Sequence, residues 1–442
     1  MARHVRYGIY PPEARTLAPV AHGQPDLLEI DIGSLAATGM REVIETAQGA
    51  VALHSMLNQL LVAETPTDRS MRWSHGGVGI GAEMKRGFSA ILGRFVARWY
   101  LEVHHGLTNF TPINGSGDYT VVHHDLIIGR ENSALLLPDW VCLAPGGGIN
   151  LAEAKGRHDR TNWAAPINAR PLNDAVEQLG NARVQLKPPG GAAGLPELLE
   201  TKGWGVMSRW ATEENGVAPL LFVHDPSTVG RLPEEGESFR TAAAVRRSSL
   251  ARTMDALDHP SLASALSPRL SQDDLVSIRN WIESSPQPMW TRDRGTPRDR
   301  SLREARDIER SSPSRSDLER AQPRQAFSID TELLADKRYI GCIVDVAGRP
   351  LSEPAASVIR ARSSTSESIL ENLYFAGIDI AEIESTITDG HLPEKRAAVT
   401  IQTEQSGSYI PVIRSFADGF ILAPISFVSE REDDIGETVA KL

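Results

Sequence analysis

Cysteine is scarce in this chain. Cys142 and Cys342 are the only two in 442 residues, and their separation excludes a disulfide framework and a Cys-based zinc site. A reducing cytoplasm is the expected compartment. No uninterrupted apolar run is long enough to cross a bilayer, so no membrane partner is expected. Arg3, His4 and Arg6 near the start are followed by no apolar stretch or small-residue cleavage site, so no secretory signal is expected. Basic residues are not in excess either: the net charge is −11. That argues against a protein that coats nucleic acid. It leaves room for an enzyme that holds nucleic acid in one groove, because phosphate binding depends on the local field.

The composition, 41% hydrophobic and 23% charged, is that of a globular protein, and the length suggests two or three domains. Residues 1–75 read as a lead-in segment, with a helical recurrence from Met40 to Val62. Residues 76–230 carry the densest pattern. Gly79 to Leu101 reads as a helix, with Met84, Phe88, Ile91, Leu92, Phe95 and Trp99 at three- and four-residue spacing. Tyr119–Ile128, Leu135–Leu143 and Ile149–Gly156 read as strands. Pro171–Leu186 reads as a helix, and Gly205–Trp210 and Leu220–His224 as further strands. The order helix, three strands, helix, strand implies an α/β fold in which helices flank a mixed sheet. Residues 231–326 read as a helical, charged linker region, disordered or partly helical between Arg292 and Arg324. Residues 327–442 read as a separate α+β domain with strands at Tyr339–Val346, Ala397–Gln402 and Tyr409–Ile413 and a helix over Ser366–Ile387.

Pro138-Asp139 and Glu153-Ala154-Lys155 carry the chemistry. In a strand, Glu153 and Lys155 point to one face, while Ala154 points away but keeps its carbonyl available. The joining segment Ala144-Pro145-Gly146-Gly147-Gly148 favours a turn. A hairpin symmetric about Gly146 sets Asp139 opposite Glu153, with Cβ atoms roughly 5 Å apart. Two carboxylates so placed repel unless a cation lies between them. Leu137, Val141, Ile149 and Leu151 share that face and can bury against a helix.

These residues and the surrounding element order resemble the PD-(D/E)XK nuclease superfamily over about a third of the chain. The resemblance implies a restriction-endonuclease-like core and hydrolysis of phosphodiester bonds with Mg²⁺ or Mn²⁺. It implies that Asp139, Glu153 and the Ala154 carbonyl bind the metal and that Lys155 serves the attacking water. It also implies an acid from the preceding helix, Glu83, and a supporting polar residue from the following helix, Gln178. DNA is the implied substrate ahead of RNA, and restriction or phage defence the implied setting, with a second copy or a defence-system protein as partner.

Other readings stand beside these. Glu-x-Lys recurs at Glu83-Met84-Lys85 and Glu200-Thr201-Lys202, but the first falls on a helix and neither has a neighbouring Pro-Asp. Glu83 also reads as an acid favoured by the helix dipole, and Gln178 as a solvent-facing residue. Arg157, His158 and Arg160 are candidates for phosphate contact or solvated charge. Trp140 and Trp163 can stack on bases or pack. His104-His105 and His123-His124 read as structural, and Gly76 to Gly81 as a hinge. The rival function is a catalytically inactive nuclease fold that binds or scaffolds through its C-terminal domain.

Overall fold

In the computed structural model, residues 2–10, 27–46, 69–77, 81–113, 119–123, 126–132, 134–158, 170–186, 197–224, 226, 230–267, 326–334, 336–345, 348, 350–351, 355–361, 370, 372–388, 398–402 and 412–431 are described. The chain opens with β1 (Ala2–Tyr10), β2 (Leu27–Asp31), α1 (Ile32–Thr46) and the short β3 (Arg72–Trp73). Helix α2 (Ala82–His105) leads into β4 (Thr108–Pro112), β5 (Tyr119–His123), β6 (Leu126–Arg130), β7 (Trp140–Leu143) and β8 (Ile149–Arg157). Then come α3 (Arg170–Asn181), β9 (Ala182–Leu186), β10 (Glu197–Leu199), β11 (Lys202–Arg209), β12 (Ala211–Thr212) and β13 (Leu220–His224). Helices α4 (Glu235–Ala256) and α5 (Pro260–Leu266) precede the C-terminal elements: β14 (Ala326–Ile329), β15 (Tyr339–Asp345), α6 (Ala355–Ala361), β16 (Leu373–Asp379), α7 (Ile380–Thr388), β17 (Val399–Gln402), β18 (Val412–Ser415), β19 (Phe420–Pro424) and β20 (Val428–Arg431).

The fold is mixed α/β with several sheets. The main sheet has the order β2-β1-β13-β11-β8-β7-β4, a four-stranded sheet the order β10-β9-β6-β5, and the C-terminal sheet the order β17-β18-β19-β16-β15-β14-β20. Strand β8 sits in the middle of the main sheet, antiparallel to β7 and parallel to β11. The hairpin register follows from its turn. Gly146 and Gly147 take φ of 109° and 86°, a region that favours glycine. The Ala144 N–H donates to the Gly148 carbonyl at 2.8 Å.

Both faces of the hairpin are covered. Trp140, Cys142 and Ala152 join the cluster that contains Leu92, Phe95 and Trp99 of α2. Leu137, Val141, Leu143 and Leu151 pack with Leu179 of α3 and Ala242 and Val245 of α4, as the alternation predicts. Glycines set how closely the helices approach. A Cβ on Gly93 of α2 would stand 2.6 Å from the Gly156 nitrogen, and one on Gly205 of β11 would meet Ala175 and Leu172 of α3 at 3.4 Å.

Several expectations are corrected. The segment Tyr119–Ile128 is two strands, and they pair in the four-stranded sheet, not beside the hairpin. The strand beside β7 is β4, which periodicity misses because a register shift interrupts it and Asn109 within it has φ 53°. The second helix ends at Asn181, where β9 begins. The lead-in supplies two strands of the main sheet, and its helix starts at Ile32, before Met40. Within the supposed linker, α4 is a 22-residue helix that packs into the core. The C-terminal sheet is not separate: one apolar cluster runs from Val5 and Leu35 to Tyr374 and Leu422. Arg292–Arg324 lies outside the described residues.

Candidate active site

Strand pairing runs Trp140 to Ala152 and Val141 to Leu151, so Asp139, one residue before β7, stands at the position opposite Glu153. There the backbone ladder gives way to a side chain: Asp139 Oδ2 accepts the Ala154 N–H at 2.8 Å. The N–H and C=O of a strand residue point to the same side. The Ala154 carbonyl therefore also points toward Asp139, beyond the last paired residue of β7.

Glu153 is buried, and its Oε1 accepts from Lys155 Nζ at 2.5 Å. Burial, then the neighbouring Asp139 carboxylate, raise its pKa to about 8, with Lys155 partly offsetting both. The same ammonium donates to Gln178 Oε1 of α3 at 2.5 Å. Gln178 is buried, so the solvent-facing reading of this residue is overturned. The apolar face of α3 lies over the β11 glycines, which turns Gln178 toward β8.

Glu83 is not brought to this group. It is exposed in the first turn of α2, and Arg94, the residue that does reach the site, lies about 16 Å further along the helix at 1.5 Å per residue. Among the described residues no hydrogen bond or ion pair joins Glu83 to Asp139 or Glu153. Arg94 Nη1 is paired with Asp139 Oδ1, and its Nε and Nη2 donate to Glu42 Oε1 of α1 at 3.0 and 2.7 Å. Its guanidinium lies 4.2 Å from the centroid of the Trp140 ring, and Trp140 is fully buried. Burial alone would raise the Glu42 pKa, but Arg94 and Arg98 hold it below the usual carboxylate range.

Sequence reasoning missed Glu42 and Arg94. The available signal was a polar ladder, Arg94, Arg98 and Glu102, set at four-residue spacing within an otherwise apolar helix face. Such residues enter a core only with partners.

Of the candidate phosphate contacts, Arg157 is exposed at the end of β8. His158 turns toward α2, with Nδ1 3.0 Å from Ser89 Oγ. Arg160 and Trp163 lie outside the described residues, as does His124. His104 stacks on Tyr100 from an exposed position, and His105 Nε2 lies 3.0 Å from the Tyr100 hydroxyl.

Two carboxylates and one backbone carbonyl lie at this end of the hairpin, all hard oxygens of the kind that Mg²⁺ and Mn²⁺ favour. Among the described residues no cluster of three or more Asp, Glu, His or Cys side chains forms a metal cage. Water and substrate oxygens would complete the coordination, as is usual for Mg²⁺. No protein-family model, curated protein or solved structure matches the chain.

Proposed function

We propose that the chain is a metal-dependent nuclease with a restriction-endonuclease-like core. The observation that carries this reading is the convergence of Asp139, Glu153 and Lys155 at one end of the β7–β8 hairpin. The element order supports it: α2, then β4, β7 and β8 side by side, then α3, then β11 parallel to β8.

Asp139, Glu153 and the Ala154 carbonyl are the ligands for Mg²⁺ or Mn²⁺. An ion held there would supply charge neutralisation on the scissile phosphate and a more acidic water. Lys155 orients the attacking water and is held in place by Glu153 and Gln178. Arg94 balances the charge of Asp139. Its Nε and Nη2 already hold Glu42, so release of the Nη1 arm frees a carboxylate oxygen without stranding the guanidinium. Arg157 and Arg160 contact the phosphate backbone. DNA is the proposed substrate.

Cleavage of plasmid, linear DNA and RNA in Mg²⁺, with EDTA controls, tests the reading. Asp139→Ala, Glu153→Ala and Lys155→Ala should each lose at least about 100-fold in kcat/KM while keeping wild-type circular dichroism. Equal activity in all four proteins removes the assignment. Absence of Mg²⁺-dependent cleavage by the wild type on every substrate favours the rival, an inactive nuclease fold that binds or scaffolds.

A further inference from the structure

Arg94 stands between the candidate site and the buried charges of α1. Its Nε and Nη2 donate to Glu42 Oε1 at 3.0 and 2.7 Å. Glu42 is held from its other oxygen as well, with Oε2 accepting from Arg98 Nη1 at 2.7 Å. The guanidinium rests 4.2 Å from the centroid of the Trp140 ring. Glu42 and Trp140 are both buried, so this side of the guanidinium is fixed by partners that are themselves fixed.

Nη1 lies outside that grip and pairs with Asp139 Oδ1. Solvent reaches this end of the arrangement: the side chains of Arg94 and Asp139 are 25% and 22% exposed, whereas that of Glu42 is 3% exposed. Asp139 Oδ2 accepts the Ala154 N–H at 2.8 Å, so both oxygens of this carboxylate are engaged. A divalent ion approaching Asp139 Oδ1 meets the guanidinium at the same oxygen, and the two positive charges repel.

A phosphate group relieves this conflict. Its oxygens carry negative charge to the ion and to the guanidinium together, and an arginine N–H donated to phosphate is a strong, charge-assisted hydrogen bond. Because Glu42 keeps its hold on Nε and Nη2, the guanidinium stays beside the site when Nη1 lets go of Asp139. Nη1 then has a new acceptor, and Asp139 Oδ1 has none of its former charge partner.

We propose that Arg94 couples substrate to cation: its Nη1 arm passes from Asp139 to a phosphate oxygen of the bound nucleic acid, and Asp139 opens to the divalent ion as it does so. This role rests on the nuclease reading and gives that site a substrate-contacting arginine. By linkage, the factor by which nucleic acid tightens the ion equals the factor by which the ion tightens nucleic acid.

Mn²⁺ affinity of the full chain at pH 8, read by electron paramagnetic resonance with and without a non-cleavable phosphorothioate duplex, tests it. The duplex should tighten Mn²⁺ binding by the wild type about tenfold or more. Arg94→Gln removes the rival charge. Without duplex it should bind Mn²⁺ about tenfold more tightly than the wild type, and the duplex should add at least about fivefold less. An arginine that only braced the fold would, on removal, leave Mn²⁺ binding unchanged or weaker. Glu42→Gln/Arg94→Gln leaves no buried Glu42 carboxylate short of a partner and should show the same two changes, which guards against misfolding of the single variant. Arg94→Lys keeps a charge beside Asp139 and should restore the weaker Mn²⁺ binding. Wild-type Mn²⁺ affinity that is equal with and without duplex overturns the coupling. So does Mn²⁺ binding no tighter than wild type in the folded glutamine variants. No saturable Mn²⁺ binding by the wild type under either condition overturns the nuclease reading itself.

Discussion

Glu153 carries the pH dependence of the candidate site. Its carboxyl holds a proton up to about pH 8, so a cation binding there at pH 7 must displace that proton. Cleavage at limiting Mg²⁺ should therefore rise with pH and level off above about 8, with Mg²⁺ affinity rising in parallel. The sign for stability is opposite. The unfolded carboxyl titrates near its ordinary value of 4.5, so between there and about 8 the folded state holds more protons, and raising the pH destabilises it. In EDTA the wild-type Tm should fall across that window, and Glu153→Gln should lack that part of the fall. Arg94 supplies a second expectation. Arg94→Ala leaves Glu42 and Asp139 short of a partner and should cost about 3 kcal/mol in urea unfolding; a cost below about 0.5 kcal/mol would show the bridge to be unimportant. Asp139, Glu153 and Lys155 were legible because motif residues on a hairpin have fixed spacing. Glu42 and Arg94 were not, because their pairing depends on where α1 and α2 meet.

The β7–β8 hairpin was the most legible element. Its glycine turn fixes the register, and alternation on both sides of that turn fixes the faces. The apolar periodicity of α2 and α3 was also readable, to within a few residues at their ends. Strand β4 was hidden by its bulge. Helix α4 was hidden for another reason: its buried side includes Thr241, Ser248, Ser249 and Thr253 beside small apolar residues, so it carries no continuous apolar stripe. The seat of α2 on β8 gives the expectation at this scale. A Cβ on Gly156 would fall on the Ser89 carbonyl, so Gly156→Ala must push the helix away. It should destabilise by roughly 3 kcal/mol and depress cleavage by displacing Lys155. Wild-type stability in that variant would contradict the packing described.

Across the whole molecule, buried charge ties the two sheets together. From Asp139 the pairs run through Arg94 to Glu42, through Arg98 to Glu45, and through Arg41 to Asp418 in the turn between β18 and β19. Arg41, Arg98, Glu42, Glu45 and Asp418 are all nearly inaccessible. Removing one partner leaves another buried and uncompensated, so Arg41→Ala should cost about 3–5 kcal/mol. A chain ended at residue 325 would also expose the face of α1 that packs on Val412 and Phe416, and it should fail to give a cooperative thermal transition. Composition suggested a boundary near 326, and the sequence change there is real. The shared core was illegible because it is built from residues hundreds of positions apart, each of which also reads as the core of its own unit.

Cation binding at Asp139 and Glu153 is the most direct test of the account. Mn²⁺ titration followed by electron paramagnetic resonance, with a non-cleavable phosphorothioate duplex present, should give a saturable site in the wild type at pH 8. That site should be lost in Asp139→Asn and in Glu153→Gln while both variants remain folded. Equal Mn²⁺ binding in all three proteins, or no saturable binding in the wild type, would contradict it.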